Sequence, residues 1–483
     1  MMEKPLSTEI LNSIPKQIFV VANHIAAAGG KAVLVGGSVV DLLLGTTPKD
    51  WDIEVYGVSY DTLVTKLADY DPKTVGKSFG IIKLSREKCD GIDLDISVPR
   101  RDNRVGVGHK DFDCDLDPTM TPKEAAMRRD FTINSMYIDL KAGTLVDYFG
   151  GLRDLQRGIL SATDPATFVE DPLRALRAMQ LLARKAKVVD PSTMALIRTM
   201  RGSFPHLSKE RVYEEFRKLL MFADKPSIGL NFLRESLWLE NFPELQVLIG
   251  CDQHPDWHPE GDVWTHTLEV TDSAAYARDK VDPDWAEAFI FGAMLHDVGK
   301  PETTVFPEMV KTGDFPAERL WTAWEHDTKG RVPAESFLRR LTDDKKLIQR
   351  AVDIVGFHMQ PYNLFQGEAK ATAYKRLHNK LRLDVLGWMS KCDCCGRPDR
   401  HIYKGWPYGD PDLEHDTSAR CFDYFAEFGE KPIPKILQGR HLVKAGLQPG
   451  PIFKIGLDAA YEAQLEGLTD EDQLLKVALR ACQ

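Results

Sequence analysis

The chain reads as an α/β head, a small mixed sheet with helices, followed by a largely all-α body. Three observations predict that division. Up to about residue 150, short apolar runs such as Val33-Leu34-Val35 and the alternating IDLDISV of 92–98 read as strands. Glycine-rich turns separate them, Gly29-Gly30 and Gly36-Gly37 first. From Pro165 onward apolar residues recur at helical spacing. A length of 483 residues predicts two to four domains, and 43% hydrophobic residues is ordinary for a globular protein. No run approaches the roughly 20 apolar residues of a membrane span, and the N-terminus shows no signal-peptide pattern. Eight cysteines form no disulfide scaffold and fit a reducing, cytoplasmic compartment. A net charge of −10 argues against a nonspecific nucleic-acid coat protein but permits a local basic stripe.

Taken in order, residues 8–30 predict an amphipathic helix with Ile10, Ile14, Ile18 and Val21 on one face, closed by Gly29-Gly30. The stretch 33–56, VLVGGSVVDLLLGTTPKDWDIEVY, carries the central chemistry. Its first strand ends in Gly36-Gly37, a backbone able to turn tightly and approach a ligand. Ser38 is the expected N-cap of a short helix over 39–44 that Gly45 stops. The next strand carries Asp50 and Asp52, and strand residues two apart point the same way. Two adjacent carboxylates repel unless a divalent cation lies between them. A turn offering N–H groups to phosphate, beside two carboxylates for Mg²⁺, is the chemistry of a nucleoside triphosphate site. The plainer alternative is two solvent-facing acids after a loop.

Residues 59–69 predict a helix, 79–84 a strand and 92–98 its partner. In the latter, Asp93 and Asp95 share one face and Ile92, Leu94 and Ile96 the other. A third acid would complete a metal site, with Asp95 favoured and Asp93 second. Residues 99–119, rich in Gly, Asp and Arg, predict a long mobile loop near that site. In 123–140 a helix start passes into an apolar strand and gathers Arg128, Arg129, Asp130 and Asn134. Arg forks suit phosphates, and Asp and Asn suit ribose hydroxyls. Residues 145–160 predict a turn and a short amphipathic segment leading out of the α/β region.

In FVEDPLRALRAMQ, Asp171 is the expected N-cap and Pro172 the first helical residue, with Arg174 and Arg177 one turn apart. A carboxylate beside a guanidinium makes an acceptor–donor edge. The acid accepts from the amino group of cytosine or adenine, and Arg donates to the ring nitrogen beside it; guanine and uracil present the opposite pattern. A simple helix cap is the alternative. Residues 161–225 hold 12 Lys/Arg against 8 Asp/Glu, and Arg174, Arg177, Arg184, Lys185, Lys187, Arg198, Arg201, Lys209, Arg211, Arg217 and Lys218 predict a stripe for an RNA backbone or a solvated helical face.

Further on, His266 falls on a predicted helix, and FIFGAMLHDVGKP sets His296-Asp297 in an apolar helix ending at Gly299. Apolar helices seldom carry such a pair without a partner. Downstream come His326, His358 and Cys392-Asp393. Mixed His/Asp ligation suits a divalent transition metal or Mg²⁺, which activates water for phosphoester hydrolysis. The Cys392, Cys394, Cys395 spacing matches no common zinc site, so these read as small buried residues. The last 60 or so residues predict a helical tail.

Together these stretches resemble the bacterial-type (class II) tRNA nucleotidyltransferases, the CCA-adding enzymes of the poly(A) polymerase head-domain superfamily, in members with an HD phosphohydrolase domain. The matching runs are GGSVVDLLLG, KDWDIEVYG, MRRDFTINSM, YFGGLRDLQRGIL, FVEDPLRALRAMQLLAR, WHPEGDVWTHTLEV, LHDVGKP, CDCCGRPD and GRHLVKAGLQPGPIFKIGLDAAYEAQLEG. The resemblance covers most of residues 30–470. It implies a nucleotidyltransferase head at 1–150, a helical neck and body for nucleotide selection and RNA binding at 151–250, an HD-type helical domain at 251–410 and a tail at 411–483. It implies that Asp50 and Asp52 hold Mg²⁺, that Asp95 is the third carboxylate and that Gly36 and Gly37 hold the triphosphate. Arg129, Asp130 and Asn134 match RRDxxxN at the ribose and metal. Glu170, Asp171 and Arg174 match EDxxR, the amino-acid template for CTP and ATP, with Arg177 a neighbouring arginine. His266, His296, Asp297 and Asp393 are the implied ligands of an HD-site Mg²⁺, Ni²⁺ or Mn²⁺, with His326 nearby.

The resemblance thus implies addition of C and A to the 3′ end of tRNA from CTP and ATP, with a second phosphohydrolase activity. Monomer and homodimer both remain open. One departure stands out: the family usually reads GGxVRD, and Val40 replaces the Arg here. Either nucleotide binding is weaker or another Arg substitutes. The alternatives are an A-adding, CC-adding or poly(A) enzyme of the same superfamily, and an RNA-binding HD phosphohydrolase with a weakened transferase site.

Overall fold

The computed structural model describes residues 1–75, 80–104, 112–395 and 416–483. They divide into two compact units, 1–219 with 228–241, and 220–227 with 242–483. The first contains an eight-stranded sheet: β1 (Met2–Pro5), β2 (Lys31–Val35), β3 (Trp51–Tyr56), β4 (Lys73–Val75), β5 (Ile81–Lys83), β6 (Leu94–Ser97), β9 (Tyr137–Asp139) and β10 (Thr144–Asp147). Between β6 and β9 in the chain lie β7 (Arg100–Arg104) and β8 (Phe112–Leu116), a separate antiparallel pair. The spatial order is β1-β10-β9-β2-β3-β6-β5-β4, mixed as expected, because β3 and β6 run parallel among antiparallel neighbours.

The alternation in β3 explains the register. Trp51, Ile53 and Val55 are buried, while Asp52 and Glu54 share the other, half-exposed face. Each fully buried aliphatic side chain contributes about 1.5–3 kcal/mol. A one-residue slip would turn the apolar set outward, so the acidic face is held where it is.

Several local expectations need correction. The 8–30 helix breaks into Thr8–Ser13 and Lys16–Ala27, because Pro15 donates no N–H and biases the residue before it to extended backbone. Ser38 does not cap the next helix. That helix starts at Gly37, its cap position is Gly36 at φ 75°, and the Ser38 hydroxyl donates back to the Val35 carbonyl at 2.9 Å. Gly45, at φ 73°, ends this helix as expected. The 99–119 loop is in its described part the antiparallel pair β7–β8, and the alternation Phe112-Asp113-Cys114-Asp115-Leu116 is the strand signal within it; residues 105–111 lie outside the described residues, as does Phe79. Strands β1 and β10 were not expected either, and they pair antiparallel at the sheet edge. Among the described residues beyond Pro165 the named elements are helices but for β12 (Val188–Val189), which pairs parallel with β11 (Ile159–Leu160).

The second unit is helical. Helices Val263–Ala277, Pro283–Leu295, His326–Leu341, Lys345–Phe357 and Leu383–Cys395 pack through a core that includes Phe289, Phe291, Phe337, Ile354 and Leu386. Cys392 and Cys394 are buried, as the sequence reading expected of them, while the side chain of Cys395 lies outside the described residues. The tail helices Gly439–Lys444, Ile452–Leu465 and Glu471–Ala481 close over their own cluster of Leu437, Leu442, Ala460, Leu474 and Ala478.

Candidate active site

The head gathers its acids through strand register. Asp52 on β3 stands opposite Asp95 on β6, and Asp50 lies just before β3 on the Asp52 side. Asp95 rather than Asp93 therefore neighbours Asp52, while Asp93 pairs outward with Arg86 at 3.5 Å. Burial pushes the Asp52 carboxyl up to about 6; Arg129 opposes that shift, and the charges of Asp95 and Asp50 add to it. Gly36 lies against this carboxylate. A Cβ there would meet Asp52 Oδ2 at 3.4 Å and Arg129 Nη1 at 3.8 Å, and the positive φ already excludes most side chains. Gly37 faces open space. Arg129 is held over this face by Glu54, Nη2 to Oε1 at 3.3 Å. Glu54, which the residue pattern did not single out, is thus the second acid of β3 and belongs to the cation rather than to the carboxylate group.

Val40 is buried in the short helix after the turn. Its neighbour Asp41 is paired with the Lys185 ammonium, which comes from the helix Leu173–Lys185. Lys185 is the cation paired with Asp41, and Arg129 stands at the Gly36 end of the turn.

The RRDxxxN residues are placed differently from one another. Asp130 is buried and its carboxylate accepts three hydrogen bonds: Oδ1 from the Phe131 N–H at 2.7 Å and Asn134 Nδ2 at 3.0 Å, and Oδ2 from Arg177 Nε at 2.6 Å. Burial works against the ionised form, but Arg177 and these donors hold Asp130 below the usual carboxylate range. Asp130 with Asn134 thereby ties the turn after Arg129 to the Leu173–Lys185 helix. That helix opens at Leu173, and Asp171 Oδ1 accepts the Leu173 N–H at 3.1 Å. The other Asp171 oxygen pairs with Arg211 at 2.7 Å. Arg174 directs its fork at two backbone carbonyls, Thr167 at 2.8 Å and Arg128 at 2.6 Å. Glu170 is half-buried immediately before Asp171. Much of the expected basic stripe is engaged within the chain: Arg184 with Gln180, Arg198 with the Glu235 carbonyl, Arg201 with Glu240 and Lys218 with Glu215.

In the second unit, His266, His296, Asp297, His326, His358 and Asp393 converge from five helices. His266 lies in the first turn of its helix; His296 and His358 cap the C-termini of Pro283–Leu295 and Lys345–Phe357; His326 opens its helix and Asp393 lies on Leu383–Cys395. Asp297 is at the centre. Its Oδ2 is 3.2 Å from His296 Nε2, 3.8 Å from His266 Nε2 and 2.6 Å from Lys300 Nζ. Its Oδ1 is 3.3 Å from His326 Nε2 and 3.8 Å from His358 Nε2. Asp393 Oδ1 stands 3.0 Å from His266 Nε2. Glu260 Oε1 lies 2.7 Å from His266 Nδ1 and orients that ring, as a carboxylate behind a metal-binding histidine does. Burial lowers the His266 pKa, yet Asp393 and Glu260 outweigh it and push the imidazole up to about 9. Asp297 is held well below the usual carboxylate range, burial being overcome by the surrounding imidazoles and Lys300. Gly299 allows the close approach of the 297 turn to the His326 helix, since a Cβ would fall 2.1 Å from the His326 carbonyl. His296 Nε2 is buried and, among the described residues, has no hydrogen-bond partner. A cluster of imidazoles and carboxylates with an orphaned nitrogen fits a divalent cation. Glu260 and Lys300 join this cluster although the sequence reading did not name them, and His358, named there with the His/Asp residues, joins it beyond the four implied ligands.

The family model described as "Poly A polymerase head domain" matches residues 32–161, and that for the "Probable RNA and SrmB-binding site of polymerase A" matches 188–248. Solved structures share the fold. A Bacillus stearothermophilus CCA-adding enzyme in complex with CTP superposes with TM-score 0.63 at 17% identity, over 96% of each chain. A Thermotoga maritima CCA-adding enzyme complexed with tRNA does so with TM-score 0.56 at 18% identity, over 100% of each. The Multifunctional CCA protein of Xanthomonas campestris pv. campestris is 35% identical over 341 residues, 69% of this chain and 76% of the relative. That of Xylella fastidiosa is 32% identical over 377 residues, 77% of this chain and 80% of the relative. With glycine turn, acid register and His/Asp cluster in place, and with identity of this extent, the chain belongs to the family of the multifunctional CCA proteins.

Proposed function

We propose that the chain adds C and A to the 3′ end of tRNA from CTP and ATP, without a nucleic-acid template, and that its second unit hydrolyses phosphoesters. The observation that carries the first part is the parallel register of Asp52 with Asp95, under the Gly36 turn and beside Arg129. In the reaction the terminal 3′ hydroxyl attacks the α-phosphorus in line, and the bond to the β-phosphate breaks as pyrophosphate leaves. Asp50, Asp52 and Asp95 are the residues that would hold Mg²⁺, whose charge supplies neutralisation of the triphosphate and a more acidic attacking hydroxyl. Gly36 and Gly37 receive the triphosphate by backbone, Arg129 adds a fixed positive charge, and Lys185 provides the cation that Val40 does not. Asp130 and Asn134 support the ribose side through the turn they brace.

Glu170, Asp171 and Arg174 would form the base-reading edge once a base displaces the partners that engage them, Arg211 at Asp171 and the Thr167 and Arg128 carbonyls at Arg174, while Arg177 anchors the helix to Asp130. We assign nucleotide selection and RNA contact to residues 151–250, the hydrolase to 251–410, and the remaining helices to a tail. At the hydrolase, His266, His296, Asp297 and Asp393 would hold Mg²⁺, Ni²⁺ or Mn²⁺, which supplies an activated water for attack on phosphorus. A cytoplasmic location goes with this reading. Among the described residues no helix is long and apolar enough to cross a membrane.

The test is extension of a tRNA lacking its 3′-terminal nucleotides with CTP alone, ATP alone and both. C addition from CTP, followed by A when ATP is present, is expected. Labelled CTP left unincorporated would refute the reading, and A-only or CC-only products would assign the chain to a narrower enzyme of the superfamily. Phosphatase assays with Mg²⁺, Ni²⁺ and Mn²⁺, with His296→Ala as control, test the second activity.

A further inference from the structure

We propose that Glu54, itself held by Tyr56, is a positioning residue of the transferase centre: it keeps the Arg129 guanidinium turned to the Gly36 turn and off Asp52. The guanidinium is thereby left for the triphosphate and the Asp52 carboxylate for the cation. This rests on the reading of the head as a nucleotidyltransferase and names two residues to which that reading gives no part.

Asp52, Glu54 and Tyr56 stand two apart on β3 and so share one face. The acid in the middle of such a row would join the metal-binding carboxylates or repel them. Glu54 does neither, because both of its oxygens are engaged. Oε1 accepts from Arg129 Nη2 at 3.3 Å, and Oε2 accepts from the Tyr56 hydroxyl at 2.5 Å. The Tyr56 ring is rooted in an apolar cluster with Val33, Val35, Tyr137 and Val146. Burial, with the Glu54 charge behind it, pushes the phenol above its ordinary range, so the hydroxyl stays a donor to Glu54. One arm of the Arg129 fork is thus tied down, and the other points at the turn. Arg129 Nη1 lies 3.8 Å from the position a Gly36 Cβ would take, and Asp52 Oδ2 lies 3.4 Å from the same position. Guanidinium and carboxylate therefore flank the turn together. Among the described residues, however, Arg129 makes its ion pair with Glu54 and none with Asp52. A guanidinium free to swing would be drawn to Asp52 and would compete there with a divalent cation. Held on Glu54, it is a preorganised donor for phosphate oxygens.

The experiment compares the full chain with its Glu54→Val, Glu54→Gln and Tyr56→Phe variants. Two quantities are read: the affinity for CTP, ATP and cytidine by titration calorimetry, and the Mg²⁺ concentration that gives half-maximal CTP incorporation into truncated tRNA. Glu54→Val should weaken CTP and ATP alike by about tenfold and leave cytidine unchanged, because Arg129 meets phosphate and not base. It should also raise the Mg²⁺ requirement, as Arg129 closes on Asp52. Glu54→Gln keeps an acceptor for Arg129 and should recover part of the loss. Tyr56→Phe keeps the ring and its packing, so it tests the relay without disturbing the core, and should weaken CTP by about threefold. In an Arg129→Met background, Glu54→Val should change neither quantity further. Wild-type values in folded Glu54→Val and Tyr56→Phe, or an undiminished Glu54→Val effect in the Arg129→Met background, would overturn the proposal. Equal weakening of CTP and cytidine would overturn it too, since Glu54 would then support the site as a whole. A wild type that binds CTP no more tightly than cytidine would instead overturn the transferase reading beneath it.

Discussion

The two centres of this chain solve one problem, keeping carboxylates together, in opposite ways. In the head, Asp52 and Asp95 come from two parallel neighbouring strands, with Asp50 just before the first, and Asp95 is about a third exposed. In the second unit, Asp297 is 1% exposed and its partners come from five helices spread over more than 100 residues. The open centre suits a large, charged substrate that brings its own phosphates to an exchangeable hard cation. The closed centre supplies nitrogen ligands, carboxylates and fixed orientation itself, which suits a cation retained through turnover. A strand register can be inferred from alternation. A cluster made by helix ends cannot, because nothing local says which ends meet.

The largest effect expected from this contrast concerns the third acid. Asp95→Asn should lower the rate of CTP incorporation by roughly 10²–10³-fold, the scale seen when one charge-stabilising group is removed from a reaction centre. Asp93→Asn should change it less than about threefold, since that side chain turns outward to Arg86. Equal losses in steady-state rates would break the register argument.

Next comes the brace between the turn after Arg129 and the helix Leu173–Lys185. Asp130→Ala leaves the Arg177 guanidinium and the Asn134 amide without their acceptor and should cost about 2–3 kcal/mol of stability in urea unfolding. A change below about 0.5 kcal/mol would show that Asp130 is not a structural tie. Gly36→Ala should cost about 2 kcal/mol because of the positive φ and should raise the KM for CTP, as its methyl would crowd the Asp52 carboxylate. An unchanged KM would place the triphosphate elsewhere.

The smallest effect is a pH dependence. Arg211 and the Leu173 N–H hold Asp171 below its ordinary range against burial, so its native form binds a proton less readily than its unfolded form. The stability it contributes is present above about pH 4 and is lost as pH falls further. Both side chains of the pair are 30% exposed, so the contribution is about 1 kcal/mol or less. Asp171→Asn should flatten that acid limb in urea titrations between pH 7 and pH 3.5; an unchanged slope would remove Asp171 from the balance.

Legibility in the sequence followed range. The strand, glycine turn and acids of 33–56 were readable because their signals lie within a few residues. Strand β1 escaped because it is exposed throughout, so no alternation marks it, and β7 and β8 escaped because the Gly-, Asp- and Arg-rich composition of 99–119 outweighed the alternation of Phe112–Leu116. The pairing of Arg177 with Asp130 spans 47 residues and that of Lys185 with Asp41 spans 144, and composition cannot distinguish such partners from a solvated basic face. His326 and His358 were visible as residues, but their meeting depends on Gly299 admitting the His326 helix against the 297 turn.

The central claim is that one chain carries two independent metal-dependent centres with different chemistries. The direct measurement is to assay CTP and ATP incorporation into truncated tRNA, and phosphoester hydrolysis, in the same preparations of wild type, Asp52→Asn and His296→Ala. Asp52→Asn should abolish incorporation and spare hydrolysis, and His296→Ala should do the reverse. Loss of both activities in either folded variant, or no incorporation by the wild type, would contradict it.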